Sequence, residues 1–476
     1  MRWEFVDENS AISTTTRKRI RSHVARGKNA GRTCRRPPRL SSVGDKPSSF
    51  QVPIIIANAH AVAVDRDRDL ACHLERPITN GLIFPVELAP QTRIIAEKVL
   101  DFLRDLRGAP ELFHIVEEPN APLIWVQYMF LDEAYLHSVL ATSFTLIPGL
   151  VSEKDKAAET LRHLSRTLRL INDRLSGVNA TSDDTIAAVV GMVHYERHQG
   201  QFGRALVHTR GLRQLADLRG GVRGLSSELS MKIFLCDLEC SFQLGCDTLF
   251  SAEDVDAMSM ETARNDLGSR IAIGWACSQH IDPYLLILFR HGLGFALSYN
   301  DIGAGRRARL SYTAYYDMIL SFGYRLMQVN PLQQRQPRIA SHLDEVIHLG
   351  LIAFLCAFIR RLDQEIADNQ LLAKLLRSVA DKIEAGSEAE EALLWALFVS
   401  TASVFRKNVP GWLASKARAL IQSLGLRTWS HTLCLISKYP WVNALHDKPA
   451  QLFWLTIAPF YGSSGEMTDE MGDVIH

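Results

Sequence analysis

From about residue 91 onward, apolar residues recur at helical spacing, and sustained period-two alternation appears nowhere. Leu161, Leu164, Leu168, Ile171 and Leu175 show this most cleanly, stepping three, four, three, four. Ile95, Val99, Leu103 and Leu106 follow the same period. The stretch 123–146 predicts one long or broken helix, closed by Pro148 and Gly149. Asp183 is expected to cap a helix entering the apolar run 186–193. Further helices are expected over 202–218, 229–244, 268–280, 284–297, 312–329, 342–361, 370–383, 388–405, 413–424 and 430–439, with a last one around Phe453. Each carries an apolar stripe that must be buried against a neighbour. With 476 residues, 47% of them hydrophobic, the chain has ample material for a large core. The expected fold is therefore all-α: a large multi-helix domain over 91–460, preceded by a basic, largely disordered arm (1–50) and a linker or anchoring segment (51–90). A frayed tail is expected over 461–476.

The formal net charge is +1, but it is unevenly spread. Residues 1–44 hold 11 Lys and Arg against 3 Asp and Glu, so the remainder is mildly acidic. Arg17, Lys18, Arg19, Arg21, Arg26, Lys28, Arg32, Arg35, Arg36 and Arg39 place ten cations in 23 residues, with no carboxylate between Glu8 and Asp45. Such a run suits a nuclear import receptor and a nucleic-acid backbone, where each phosphate contact releases a counterion. It is also what a merely solvated tail looks like. A short helix is conceivable at 16–25. A disordered arm supplies affinity more readily than sequence choice. It has few large apolar residues to insert, so no membrane partner is expected.

Little else in the chain suggests chemistry. Residues 1–10 have no long apolar run, which argues against a secretory signal. The greasiest stretch, 346–358, is too short to span a bilayer and reads as a buried helix. The 8 cysteines are widely scattered except for Cys236, Cys240 and Cys246, which read as buried free thiols in a reducing compartment. Asp65, Asp67 and Asp69 alternate with arginines and read as a solvated linker. His194 and His198 stand four apart, but Tyr195 occupies the position where a zinc protease needs its glutamate, so a surface pair at a helix end is expected. The glycines in Arg219-Gly220-Gly221-Val222-Arg223-Gly224 have no following Lys-Ser or Lys-Thr, and they read as a helix end and tight turn. No metal, cofactor or catalytic centre is expected. An enzyme would reveal itself by a concave apolar pocket with converging ionisable groups.

His208-Thr209-Arg210-Gly211-Leu212, followed by Leu215 and Arg219-Gly220-Gly221, resembles the core signature of the fungal-specific transcription factor domain. Asp237 and Phe250 look like further family positions. A second similar block contains Gly425-Leu426, Trp429, Leu433 and Tyr439-Pro440-Trp441. The arm from Arg17 to Lys28 also looks like one that recurs in such proteins. The resemblance spans roughly 90–460 and implies a helical regulatory domain, transcription regulation, nuclear location, and a coregulator or homodimer partner. A link to secondary metabolism belongs to the family-level expectation. His208, Gly211, Arg219, Gly220, Gly221, Asp237, Trp429 and Trp441 are expected to be structural signature positions, the tryptophans as aromatic plugs between helices. One departure stands out. The binuclear zinc cluster often found with this domain needs six grouped cysteines, whereas Cys34 and Cys72 are the only ones before Cys236. DNA contact would then fall to the arm or to a partner, or the gene model would have lost an upstream segment. A coregulator that does not touch DNA is the alternative.

Overall fold

The computed structural model describes residues 83–105, 110–117, 124–147, 149–258, 280–333, 341–359 and 369–458. The chain divides between Phe84 and Pro85, and all the helices below belong to the second unit. The ten arm cations, the short helix expected at 16–25, Asp65 to Asp69, most of the helix expected over 268–280 and the 461–476 tail lie outside the described residues.

The unit is all-α. In chain order the helices are α1 (Pro90–Asp105), α2 (Ile124–Leu131), α3 (Glu133–Leu146), α4 (Glu153–Leu175), α5 (Asp183–His198), α6 (Phe202–Leu218), α7 (Ser227–Leu244) and α8 (Ala252–Asp256). They continue with α9 (Pro283–Gly303), α10 (Tyr312–Val329), α11 (His342–Ile359), α12 (Gln370–Lys382), α13 (Glu390–Ser400), α14 (Gly411–Ser423), α15 (Trp429–Ile436) and α16 (Asn443–Ile457). Among the described residues there is no strand, only one isolated parallel bridge between Val116 and Leu310.

Side chains set the helix boundaries. The 123–146 stretch breaks at Asp132, whose extended backbone lets its carboxylate accept from Tyr135 N at 2.7 Å and cap α3. Arg174 of α4 closes on the same carboxylate at 2.5 Å. The cap expected at Asp183 is instead Ser182, whose hydroxyl accepts from Thr185 N. A short side chain on an extended residue reaches the third amide of a helix, whereas Asp183 is already helical. Its charge favours the amide end of the helix dipole instead.

The helices form two connected groups. In the first, α3 packs on α4 and α5, α5 on α6, and both α5 and α6 on α7. Helix α7 then meets α10 and α12, and so joins the second group, built around α11 and α13. Nearly every residue of α11 and α13 is buried. By length and composition α11 could cross a membrane, but α9, α10, α12 and α13 pack around it, as befits a core helix. Gly350 of α11 lies directly under the Trp395 ring of α13, where a Cβ would collide with the indole.

Helix α4 departs from the leucine spacing. Its buried positions are Thr160, His163, Thr167, Ile171 and Leu175, while Leu161 is 63% exposed and Leu164 and Leu168 are only half-buried. The buried polar groups have partners on α3. Thr167 Oγ1 donates to Ala134 O at 3.1 Å, and the Nδ1 atoms of His163 and His137 share a proton across 2.5 Å. Burial, with the nearby His137 and Arg162 charges, drives His163 down to about 3, so this imidazole is neutral.

Candidate functional site

The first signature block occupies the corner between α6 and α7. Helix α6 ends in a Schellman turn: Gly221 N donates to Ala216 O at 2.9 Å and Gly220 N to Asp217 O at 3.1 Å. The turn needs left-handed backbone, and Gly220 and Gly221 supply it at φ 91° and 94°. Arg219, the last residue before them, reaches back to the start of α5, where it pairs with Asp183 and donates to Thr181 O at 3.3 Å. The expected helix end and tight turn are therefore present, with Arg219 clamping two helix ends together.

Asp237 is fully buried in the middle of α7. Leu249 N donates to both of its carboxylate oxygens at 2.9 Å, Phe250 N to one at 3.1 Å, and the Tyr324 hydroxyl of α10 to the same one at 2.8 Å. Burial lifts the carboxyl to about 6, against the opposing pull of those donors. Phe250 then packs edge-on against Phe234, 5.2 Å between centroids. Above it, the Arg213 guanidinium sits 4.7 Å from the Phe250 ring centre and donates to Leu249 O at 2.8 Å. Asp237 and Phe250 were legible as family positions. Arg213 and Tyr324 were not, because their roles depend on partners 36 and 87 residues away.

His208 lies on α6, half-buried, and burial drives it down to about 4. Gly211, three residues on, is half-buried on the same helix. Cys236 and Cys240 are fully buried on α7, and burial pushes the Cys236 thiol up to about 12. No group of three or more His, Cys, Asp or Glu residues converges among the described residues. The surface pair expected at His194 and His198 is corrected: both rings are half-buried, and burial, then Arg197, drives His198 down to about 3. The cause is Arg197, which turns inward to pair with Glu239 of α7 at 2.6 Å and draws this end of α5 onto the core.

The second block lies in the other helix group and is aromatic. Trp395 stacks on Tyr439 at 5.2 Å, Phe289 meets both edge-on, and Trp395 Nε1 donates to Pro440 O at 3.0 Å. Trp441 is buried, its Nε1 donates to Asp447 at 2.7 Å, and its carbonyl accepts from Asn300 at 2.9 Å. Trp429 is only half-buried, stacked on Phe398 at 6.2 Å, so it caps the helix interface from outside. A cavity of about 720 Å³ is lined by His280, Asp282, Tyr284, Ser341 and Asp344 among others. Its carboxylates are engaged as helix caps: Asp282 accepts from Tyr284 N and Leu285 N, and Asp344 accepts from Asp282 N and the Ser341 hydroxyl.

Both blocks are thus structural anchors with their polar groups turned inward, as a regulatory or interaction domain requires. Residues 113–242 match the family model of the fungal specific transcription factor domain, and over that stretch the chain resembles this family. The matched span holds His208, Gly211, Arg219, Gly220, Gly221 and Asp237, while Phe250, Trp429 and Trp441 fall beyond it. The match supports a transcription regulator of the fungal type. No curated protein and no solved structure matches the chain.

Proposed function

We propose that this chain is a nuclear, non-enzymatic transcription regulator in which the helical body is the regulatory part and the basic arm provides nuclear entry and contact with DNA phosphates. The observation that carries the reading is the family match over residues 113–242, downstream of ten cations in the span 17–39. The inward-facing polar groups of both signature blocks fit a body that regulates by binding. Regulation of a secondary-metabolism gene cluster is part of the same proposal.

Two experiments test it. A fluorescent fusion concentrates in the nucleus and loses that concentration when residues 17–39 are deleted; equal cytoplasmic signal from both forms rejects import through the arm. Selection from random oligonucleotides on the full chain recovers bound DNA, with affinity falling steeply as salt rises. A second reading is favoured by the lack of six grouped cysteines in the sequence: a coregulator that reaches promoters through a partner. In that case the selection yields no preferred sequence and salt-sensitive binding is weak.

A further inference from the structure

We propose that the exposed leucine edge of α4 is a self-association surface on which a second copy of this chain docks antiparallel. The inference does not depend on the regulatory reading. Helix α4 has 23 residues and so runs about 34 Å at 1.5 Å per residue. One side lies on α3, using Thr160, His163, Thr167, Ile171 and Leu175. Leu161, Leu164 and Leu168 lie to one side of that stripe, where Leu161 is 63% exposed and the other two are half-buried. Ala157 and Ala158, both exposed, extend the apolar edge toward the N-terminus. Their side chains are single methyl groups, which leaves room for a neighbouring helix to approach.

Charge selects the occupant. Asp155, Arg162, Arg169 and Asp173 are all exposed and share the flank beside the leucine edge, spaced by seven, seven and four residues. Arg162 is neutralised on its own helix by Glu159 at 2.5 Å. Lys154, Arg169 and Asp173 form no ion pair among the described residues. A parallel copy in register would set Arg169 against Arg169 and Asp155 against Asp155. An antiparallel copy, with its two-fold axis passing between Arg162 and His163, sets Leu161 against the partner's Leu164 and Leu168 against the partner's Ala157. It also brings Asp155 within about one helical step of the partner's Arg169, and Lys154 near the partner's Asp173. Like charges thus oppose one arrangement and opposite charges support the other. The resulting contact is isologous and closes as a dimer.

Sedimentation equilibrium on the full-length protein tests this, with circular dichroism confirming that each variant is folded. Wild type shows a reversible monomer–dimer equilibrium. Leu161→Glu combined with Leu168→Glu raises the dimer Kd about a hundredfold, because two central apolar anchors are lost. Asp155→Arg or Arg169→Asp alone raises it about tenfold, and the two combined return it to within about threefold of wild type. Wild type remaining monomeric, a dimer that survives the leucine changes, or a double charge reversal no tighter than the singles each overturns the proposal. The first of these is also the outcome if a segment of the same chain covers the edge. The charge variants sit on the surface, so they keep the test decisive if the leucine variants fail to fold.

Discussion

The α6–α7 corner and the α11–α13 core solve the same problem with opposite materials. At the corner, one buried carboxylate, Asp237, gathers two amides and a phenol from a loop and from α10. In the core, Trp395, Tyr439 and Phe289 fill the space by ring packing, and Gly350 lets two backbones approach. A hydrogen-bonded anchor fixes direction and tolerates few substitutes for its atoms. A packed anchor fixes volume and tolerates few changes of size.

Substitutions should separate the two regimes. Trp395→Ala is expected to have the largest effect, about 3–5 kcal/mol of lost stability from the cavity and the unpaired Pro440 carbonyl, read from urea unfolding midpoints. Gly350→Ala destabilises through overlap with the same ring, by about 1–3 kcal/mol. Asp237→Ala costs about 1–3 kcal/mol by stranding the Leu249 and Phe250 amides, and Tyr324→Phe costs less, about 1 kcal/mol. An Asp237→Ala variant as stable as wild type would break the comparison.

The helix end gives a smaller effect. Gly221→Ala, at φ 94° and ψ −175°, costs about 1–3 kcal/mol, measured by thermal unfolding. Arg219→Ala costs about 0–1 kcal/mol, since its pair with Asp183 is partly exposed.

Acid sharpens the contrast further. His163, His198 and His446 are held down to about 3, and His208 and His348 to about 4, in each case chiefly by burial, against an ordinary value of 6.5. The folded state keeps them neutral, so their stabilisation is complete above 6.5 and is lost as pH falls from 6.5 toward 4. Asp237 acts in the opposite sense. With its value raised to about 6 from 3.8, it favours folding more as pH falls through that window. Five imidazoles outweigh one carboxyl, so Tm is expected to drop between pH 7 and about 5. Asp237→Asn removes the opposing contribution, and its Tm should fall more steeply over the same range. An unchanged Tm rejects the assignment of neutral buried histidines.

Much of the helical architecture was legible because apolar period is a local property. The runs at 202–218 and 312–329 coincide with α6 and α10. The α4 face was misread for a physical reason: leucine spacing shows where apolar atoms lie, but not that Thr167 and His163 find partners on α3 that make their burial affordable. The Asp183 cap was displaced by one residue because Ser182, equally suited by chemistry, holds the extended backbone. At the candidate site, Gly220 and Gly221 could be read from sequence, since only glycine adopts such backbone readily. Arg213 and Tyr324 could not, since their partners are distant in the chain.

The three protein donors on Asp237 come from places that are otherwise independent, an irregular loop and a helix of the other group. The loop cannot swing outward while α10 stays in place without abandoning a charged oxygen in a dry interior. Displacement of one therefore becomes displacement of both, and a binding event felt at residues 246–251 would be transmitted to the far half of the body as a single discrete step.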